Sequence, residues 1–500
     1  MKHGTLIAAI DLGSNSFRLE IGRLDHGQIQ RVDYLKETVR LGNGFDEHRH
    51  LSQEAMQRGL DCLARFAERL AGFHHSQVRA VATQTLREAK NRDAFLKLGQ
   101  EVLGFPIEVI PGTEEARLIY SGVSHLLPHD PERRLVIDIG GRSTELVLGQ
   151  GFAATQTASF RLGSVAWSLK YFPEGEFTDK AFHRAEIAAQ AVLEEALTTY
   201  PPQSWDTAYG ASGTVGAVAE ILNLAGWPNG EIDMDGLDWL IKCLVRAGSA
   251  SQVRLEGLRD ERRAVIGGGV SILRALMKLL KISTLRVAPG ALRHGVLFEM
   301  IERADHITDT RDLSVQRLAL RFGVDAAQSQ RVADIAVEIL HRMHSKEATA
   351  TDLQTLTRQL SWAAQLHEIG FAISHSDHHK HGAYILDNAD MVGFGMPELH
   401  RLGLLVLGQR GKLKKLDMAL EEDDFALLLM ALRLSVVLCH ARKSPEHHPL
   451  KVSLDARKKR ITLKAPAEWA EQFPQSVHLL TQEQSSWQKM PWTFLFVTEA

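Results

Sequence analysis

Near the start of the chain an apolar run, Leu6 to Ile10, meets Asp11 and passes through Leu12-Gly13-Ser14-Asn15-Ser16-Phe17 into an apolar alternation that ends at Gly22. The pattern returns at Ile137-Asp138-Ile139-Gly140-Gly141-Arg142-Ser143-Thr144, again followed by an alternation, to Gly149. Asp, Gly, Ser, Leu and the last Gly coincide at an offset of 138 − 11 = 127 residues. Each copy predicts a strand, a tight glycine turn and a second strand. Two copies at domain-sized spacing predict a duplicated α/β lobe.

The first lobe continues with a helix over 52–70, apolar at helical spacing, and a strand over 78–82 that ends in Thr83-Gln84-Thr85-Leu86-Arg87. A second strand, 107–110, leads to Pro111-Gly112-Thr113-Glu114-Glu115-Ala116-Arg117, where Thr113 reads as a helix N-cap with acids in the first turn. The turn-rich Pro128-His129-Asp130-Pro131 opens the second lobe. Within it, Gly210-Ala211-Ser212-Gly213-Thr214 lies between a strand and a helix expected from Val215, and a glycine run, Gly267-Gly268-Gly269, follows later. From Ile301 helical periodicity takes over. From Pro449 strands over 450–454 and 460–463 are expected. These patterns divide the chain into lobe I (1–124), lobe II (125–300), an all-α domain (301–445) and a small α+β tail (446–500).

Composition bounds the partners. The 500 residues are 44% hydrophobic and 24% charged, with a formal net charge of −3. That balance argues against nucleic acid bound through overall charge, although a local patch can still attract an anion. Cys62, Cys243 and Cys439 are far apart and lack metal-binding or disulfide spacing. The longest apolar stretch, 425–439, contains Arg433, so no transmembrane segment is expected. With no targeting segment visible, the cytoplasm is the default compartment.

The candidate chemistry centres on the two Asp-x-Gly turns. Glycine lets backbone N–H groups approach a phosphate closely, and Ser14, Asn15, Ser143 and Thr144 add donors. Asp11 and Asp138 can bind Mg²⁺, directly or through water. A single Asp-x-Gly is an ordinary turn, and the matched pair carries the signal. Gly210 to Thr214 offers a helix N-terminus for an anion, though on its own it is a tight β–α connection. Glu114 and Glu115 can orient a water for attack or simply stabilise their helix start. Glu145 can ligate metal or point to solvent. Arg87, after a strand end, is placed to meet phosphate. His367-Glu368 and the histidines at 375, 378, 379 and 381 invite a metal site, but an HD phosphohydrolase pattern needs His-Asp where this chain has His-Glu, and the later helical Asp is replaced by His440-Ala441-Arg442.

Taken together, Asp11 to Phe17, Thr85-Leu86-Arg87, Glu114 to Ile119, Asp138 to Glu145, Gly210 to Thr214 and Gly290-Ala291-Leu292-Arg293 resemble the exopolyphosphatase/guanosine pentaphosphate phosphohydrolase (Ppx/GppA) family over nearly the whole chain. The resemblance implies an actin-like (ASKHA) two-lobed fold with a C-terminal HD-like helical domain. It implies Glu115 as catalytic base, and Asp138 and Glu145 as Mg²⁺-associated carboxylates. It places Asp11, Ser14, Asn15, Arg87, Gly141, Ser143, Ser212, Gly213 and Thr214 on phosphate. Two departures stand out. Arg142 replaces the third of three glycines, which adds a cation to the phosphate path or narrows it. His294 replaces a glutamate.

The histidine-rich stretch 375–386 looks more like long exopolyphosphatases. Basic clusters at Arg410, Lys412, Lys414 and Lys415 and at Arg457 to Arg460 can guide a long polyanion. Inorganic polyphosphate is therefore the first expected substrate and exopolyphosphatase the first expected activity. Guanosine pentaphosphate is the alternative, and a non-catalytic actin-like nucleotide-binding protein is the rival of another class. The resemblance also suggests a homodimer.

Overall fold

The computed structural model describes residues 3–25, 28–128, 131–304, 310–343, 350–389, 391, 393–443, 447 and 449–499. His129 and Asp130 of the expected linker lie outside them. The chain forms two compact units, Met1–Asp309 and Thr310–Ala500.

The first unit contains two mixed sheets built to one plan. In the first sheet β1 (Leu6–Leu12), β2 (Phe17–Asp25), β3 (Gln28–Glu37), β4 (Val78–Ala82) and β5 (Ile107–Val109) lie in the order β3-β2-β1-β4-β5. The second holds β6 (Arg133–Ile139), β7 (Thr144–Gln150), β8 (Ala153–Phe160), β9 (Thr207–Ala211), β10 (Glu231–Asp233) and β11 (Thr284–Val287). Its order, read from the far edge, is β8-β7-β6-β9-β11, extended by β10. In both sheets the first three strands are antiparallel and the next two run parallel to the central one.

The repeat extends to a defect. Opposite Gly22 the register skips Val32 on β3, and opposite Gly149 it skips Thr155 on β8. Each outer strand therefore carries a bulge facing the duplicated glycine. The sites have no room for a side chain: a Cβ on Gly22 would lie 2.4 Å from the Ile29 side chain, and one on Gly149 would lie 2.2 Å from the Tyr120 ring. The expected duplicated two-lobed α/β architecture is thus present.

The first eight α-helices are α1 (Gln53–Arg69), α2 (Gln84–Glu88), α3 (Arg92–Leu103), α4 (Gly112–Ser124), α5 (Ser164–Tyr171), α6 (Asp179–Leu193), α7 (Ala196–Thr199) and α8 (Ser212–Leu224), of which α4, α5 and α8 line the cleft. Helix α1 starts where its cap predicts, with Ser52 Oγ accepting from the Ala55 N–H at 3.2 Å. Helix α4 differs from expectation. It begins at Gly112, so Thr113 lies within the first turn and its buried hydroxyl makes no hydrogen bond.

An apolar cluster that includes Ile7, Val81, Ile119, Val136, Val147 and Leu297 joins the lobes. Beside it, Arg79 and Arg117 share Glu299 at 2.9 and 2.6 Å, and Arg117 also holds Glu114 at 2.8 Å. Pairing offsets the cost of taking these groups out of water. They fix α4 against the helix Leu292–Ala304.

The second unit is mainly helical, with helices Thr310–Arg321, Ala326–Met343, Ala350–Gln365, His378–Asn388, Met396–Gly408 and Asp423–Leu438. A small sheet, β12 (Lys451–Asp455), β13 (Arg460–Pro466) and β14 (Thr493–Glu499), follows in that order. No helix among the described residues is long and apolar enough to cross a membrane.

Candidate active site

Asp11 is the penultimate residue of β1, and Asp138 holds the same place in β6. Both strands end at one cleft of about 760 Å³ between the lobes. Its lining includes Asp11, Ser14, Asn15, Glu115, Asp138, Gly141, Ser143, Ser212, Gly213 and Thr214. The turns touch: a Cβ on Gly141 would lie 3.2 Å from Ser14 Cβ and 3.6 Å from the Asn15 nitrogen.

The second turn is braced from behind. Thr214 Oγ1 donates to the Ile139 carbonyl at 3.0 Å, and Ser164 Oγ donates to the Gly140 carbonyl at 3.1 Å. Helix α8 begins at Ser212 rather than near Val215, so the small-residue loop is itself the helix start. Its first N–H groups lack intrahelical partners, and the Thr214 N–H donates to Ser212 Oγ at 3.3 Å. Ser212 has φ +84°, a strained value for a residue with a side chain, of the kind that collects at functional sites.

Four carboxylates crowd the strand ends. Asp11 is neutralised by Arg18, 2.9 Å away. Among the described residues Asp138 has no such partner, and burial with nearby Glu115 and Asp11 pushes it up to about 7, against the pull of Arg18 and Arg262. Glu145 is raised well above its ordinary value by burial, then by Glu115 and Asp138. Burial also raises Glu115, although Arg87 opposes the shift. Arg87 Nη1 lies 2.8 Å from Glu115 Oε2, yet that buried oxygen accepts no properly directed hydrogen bond. Glu115 itself lines the cleft, and a carboxylate in that position can orient a water.

Several expected site residues lie off the cleft wall, Thr144 and Glu114 among them. Arg87 stands behind Glu115, with Nε and Nη2 on Gln84 Oε1 at 3.1 and 2.6 Å. Glu145 is buried and accepts from Ser159 Oγ at 2.8 Å. Arg142 corrects the expectation that it lines the phosphate path, because its guanidinium turns away to Glu88, 3.1 Å distant. His294 pairs with Glu20 at 3.3 Å.

The cleft also holds cations to which motif reading gave no role: Arg18, Lys36, Arg259, Arg262 and Arg293. Arg262 is the most informative of them. It is largely buried, makes no side-chain hydrogen bond or ion pair among the described residues, and its pKa is lowered by burial and by Arg18. Its Nη2 lies 1.6 Å from where a Gly213 Cβ would sit, so only glycine leaves that cation beside the α8 N-terminus.

In the second unit Arg410, Lys412 and Lys414 line a separate cavity, and Lys459 is paired with Asp423 at 2.6 Å.

Residues 21–304 match the Ppx/GppA phosphatase family model, and residues 310–484 match Ppx/GppA phosphatase domain III. The chain belongs to the Ppx/GppA phosphatase family. Among its Ppx/GppA relatives, a guanosine-5'-triphosphate,3'-diphosphate pyrophosphatase of Vibrio cholerae is 39% identical over 471 residues, covering 94% of this chain and 93% of the relative. One of the same name from Photobacterium profundum is 37% identical, covering 97% of each. The solved Ppx/GppA family member of Aquifex aeolicus shares 25% identity at a TM-score of 0.52, covering 60% of this chain and 99% of its own.

These names correct the first choice of activity. Full-length Ppx/GppA relatives are named for the guanosine nucleotide, which places the alternative ahead of exopolyphosphatase. The error has a physical source. Both substrates end in the same phosphoanhydride, so the cleft motifs cannot separate them, and the choice had been made on histidine-rich and basic segments outside the cleft.

Proposed function

We propose that this Ppx/GppA phosphatase hydrolyses the terminal 5' phosphoanhydride of guanosine 5'-triphosphate 3'-diphosphate, releasing orthophosphate. The substrate follows from the relatives' names at full-length similarity. The chemistry rests on one observation, the Glu115 carboxylate on the wall of a cleft lined by anion donors of both lobes.

Ser14, Asn15, Gly141, Ser143 and the α8 N-terminus hold the terminal phosphates, and Arg262 offsets their charge. Glu115 orients a water in line with the anhydride and takes its proton as the oxygen attacks phosphorus. The P–O bond to the nucleotide breaks, and the bond electrons leave with the nucleotide's β-phosphate. Arg87 holds Glu115 in place while Asp11 stays bound to Arg18.

Mg²⁺ is the proposed cofactor. Asp138 and Glu145 are oxygen donors that burial and mutual repulsion leave short of positive charge. No group of three or more His, Cys, Asp or Glu among the described residues forms a closed cage. Mg²⁺ keeps waters and binds through one or two carboxylates plus substrate phosphates, a donor number that Asp138 and Glu145 supply. When bound, it supplies charge neutralisation at the phosphate oxygens.

We read the helical unit as a metal-free relative of HD phosphohydrolase domains. His367 is buried, with Nδ1 2.7 Å from the Ala364 carbonyl, and Glu368 is held by Arg442 at 2.5 Å. Elemental analysis of the purified protein should find no stoichiometric transition metal.

The decisive comparison is kcat/KM on guanosine pentaphosphate and on long polyphosphate, with and without Mg²⁺. The nucleotide is expected to be the better substrate and turnover to require Mg²⁺. A higher kcat/KM on polyphosphate would overturn the substrate.

A further inference from the structure

Arg142 belongs to the second-lobe turn, but its side chain ends in the first lobe. Its Nε and Nη2 lie 3.3 and 3.1 Å from Glu88 Oε2. Nη1 donates to the Gly42 carbonyl at 3.1 Å, and the guanidinium lies 4.8 Å from the Phe45 ring centre. Its stem runs against Gly42, where a Cβ would come within 3.0 Å of Arg142 Cδ. Arg142 and Glu88 are only 21% and 11% exposed, so solvent screens their attraction less than at an open surface.

The contact continues inward. Glu88 uses its other oxygen, Oε1, to accept from Gln84 Nε2 at 2.7 Å. Gln84 Oε1 accepts from Arg87 Nε and Nη2. Arg87 Nη1 donates to the Ile110 carbonyl at 2.7 Å and stands 2.8 Å from Glu115 Oε2. An unbroken line of polar contacts thus joins the tip of the second lobe to the carboxylate in the first. Each member is fixed by two or more partners, so displacing one end loosens the next.

We infer that Arg142 is a positioning residue: it latches the second-lobe turn onto Glu88 and, through Gln84 and Arg87, sets the orientation of Glu115. The inference rests on Glu115 as the group that activates water. The same turn carries Gly141 and Ser143, which face the substrate. The latch therefore locks the phosphate grip of one lobe in register with the base of the other. Arg142 itself stays off the cleft wall and acts only through its neighbours.

The test is steady-state kinetics on guanosine pentaphosphate with Arg142→Ala, Arg142→Lys, Glu88→Gln and the Arg142→Ala/Glu88→Gln double variant, with Glu115→Gln measured alongside. Thermal melts confirm that each is folded, and Glu88→Gln, which keeps the side-chain shape, serves if Arg142→Ala is not. A misplaced catalytic group should lower kcat by roughly 10-fold or more while KM stays nearly constant. The double variant should be no worse than the poorer single one, because both changes cut the same line. Arg142→Lys should recover part of the loss. A raised KM with unchanged kcat would make Arg142 a substrate contact and overturn the latch. So would losses that multiply in the double variant. Near-normal turnover by Glu115→Gln would instead overturn the proposed role of Glu115, whatever the Arg142 variants do.

Discussion

Asp138 and Glu145 are direct cross-strand partners at the end of the β6–β7 hairpin. At the matching place in the first lobe, 127 residues earlier, the partners are Asp11 and Arg18. One copy of the duplicated hairpin is neutralised internally, and the other sets acid against acid. The lobes share a backbone plan but divide the electrostatic work, so demand for a cation concentrates on the second.

That asymmetry should show in stability. The Asp138 carboxyl ordinarily titrates at 3.8 and stands at about 7 in the fold. Between those values the folded state binds the extra proton, so this group's contribution is full below the lower value and is lost as pH rises through the higher. Without Mg²⁺, melting temperature should fall from about pH 5 to about pH 7.5, and Asp138→Asn should flatten that slope. An unaltered slope in the variant would place the titration elsewhere.

Glu145→Gln replaces the carboxylate that faces Asp138 across the strands, and the site loses one of its two carboxylate donors. The Mg²⁺ concentration giving half-maximal turnover should rise by about 10-fold, on the scale by which changes around a metal site weaken metal affinity. A metal titration of initial rates reads this directly.

Glu115→Gln keeps the shape of the side chain and its place beside Arg87. Phosphate release should drop by a factor on the order of 10² or more, with an unchanged circular dichroism spectrum.

Gly149→Ala tests the duplicated bulge. The added methyl would meet the Tyr120 ring at 2.2 Å and the Ala153 carbonyl at 2.6 Å. Overpacking of this kind costs about 1–3 kcal/mol, measurable as a lower urea midpoint.

In the second unit Arg433 and Glu483 form a buried pair, with Nε 2.5 Å and Nη2 2.7 Å from the carboxylate. Glu483→Ala strands the guanidinium and should destabilise the protein by about 3–5 kcal/mol. Denaturant unfolding would report it.

The parts legible in sequence were those governed by local rules. The Asp-x-Gly hairpins, the Ser52 cap and the buried strand over 78–82 announce themselves through turn chemistry and periodicity. Strands β3 and β8 did not, because they are edge strands with mixed, half-exposed side chains. Arg262 reaches the cleft from more than a hundred residues beyond Asp138, through packing that no spacing rule encodes. Arg142 was placed by its neighbours in sequence, yet its partner Glu88 lies on the other lobe. Polyphosphate and guanosine pentaphosphate are not separated by these motifs because they differ only away from the anhydride.

The skipped residues Val32 and Thr155 sit on β3 and β8, the outermost strands of their sheets. A kinked border offers a poor template for an invading strand, since its free N–H and C=O groups no longer run in even register. The doubled irregularity therefore also guards each lobe against sticking edge-on to another molecule.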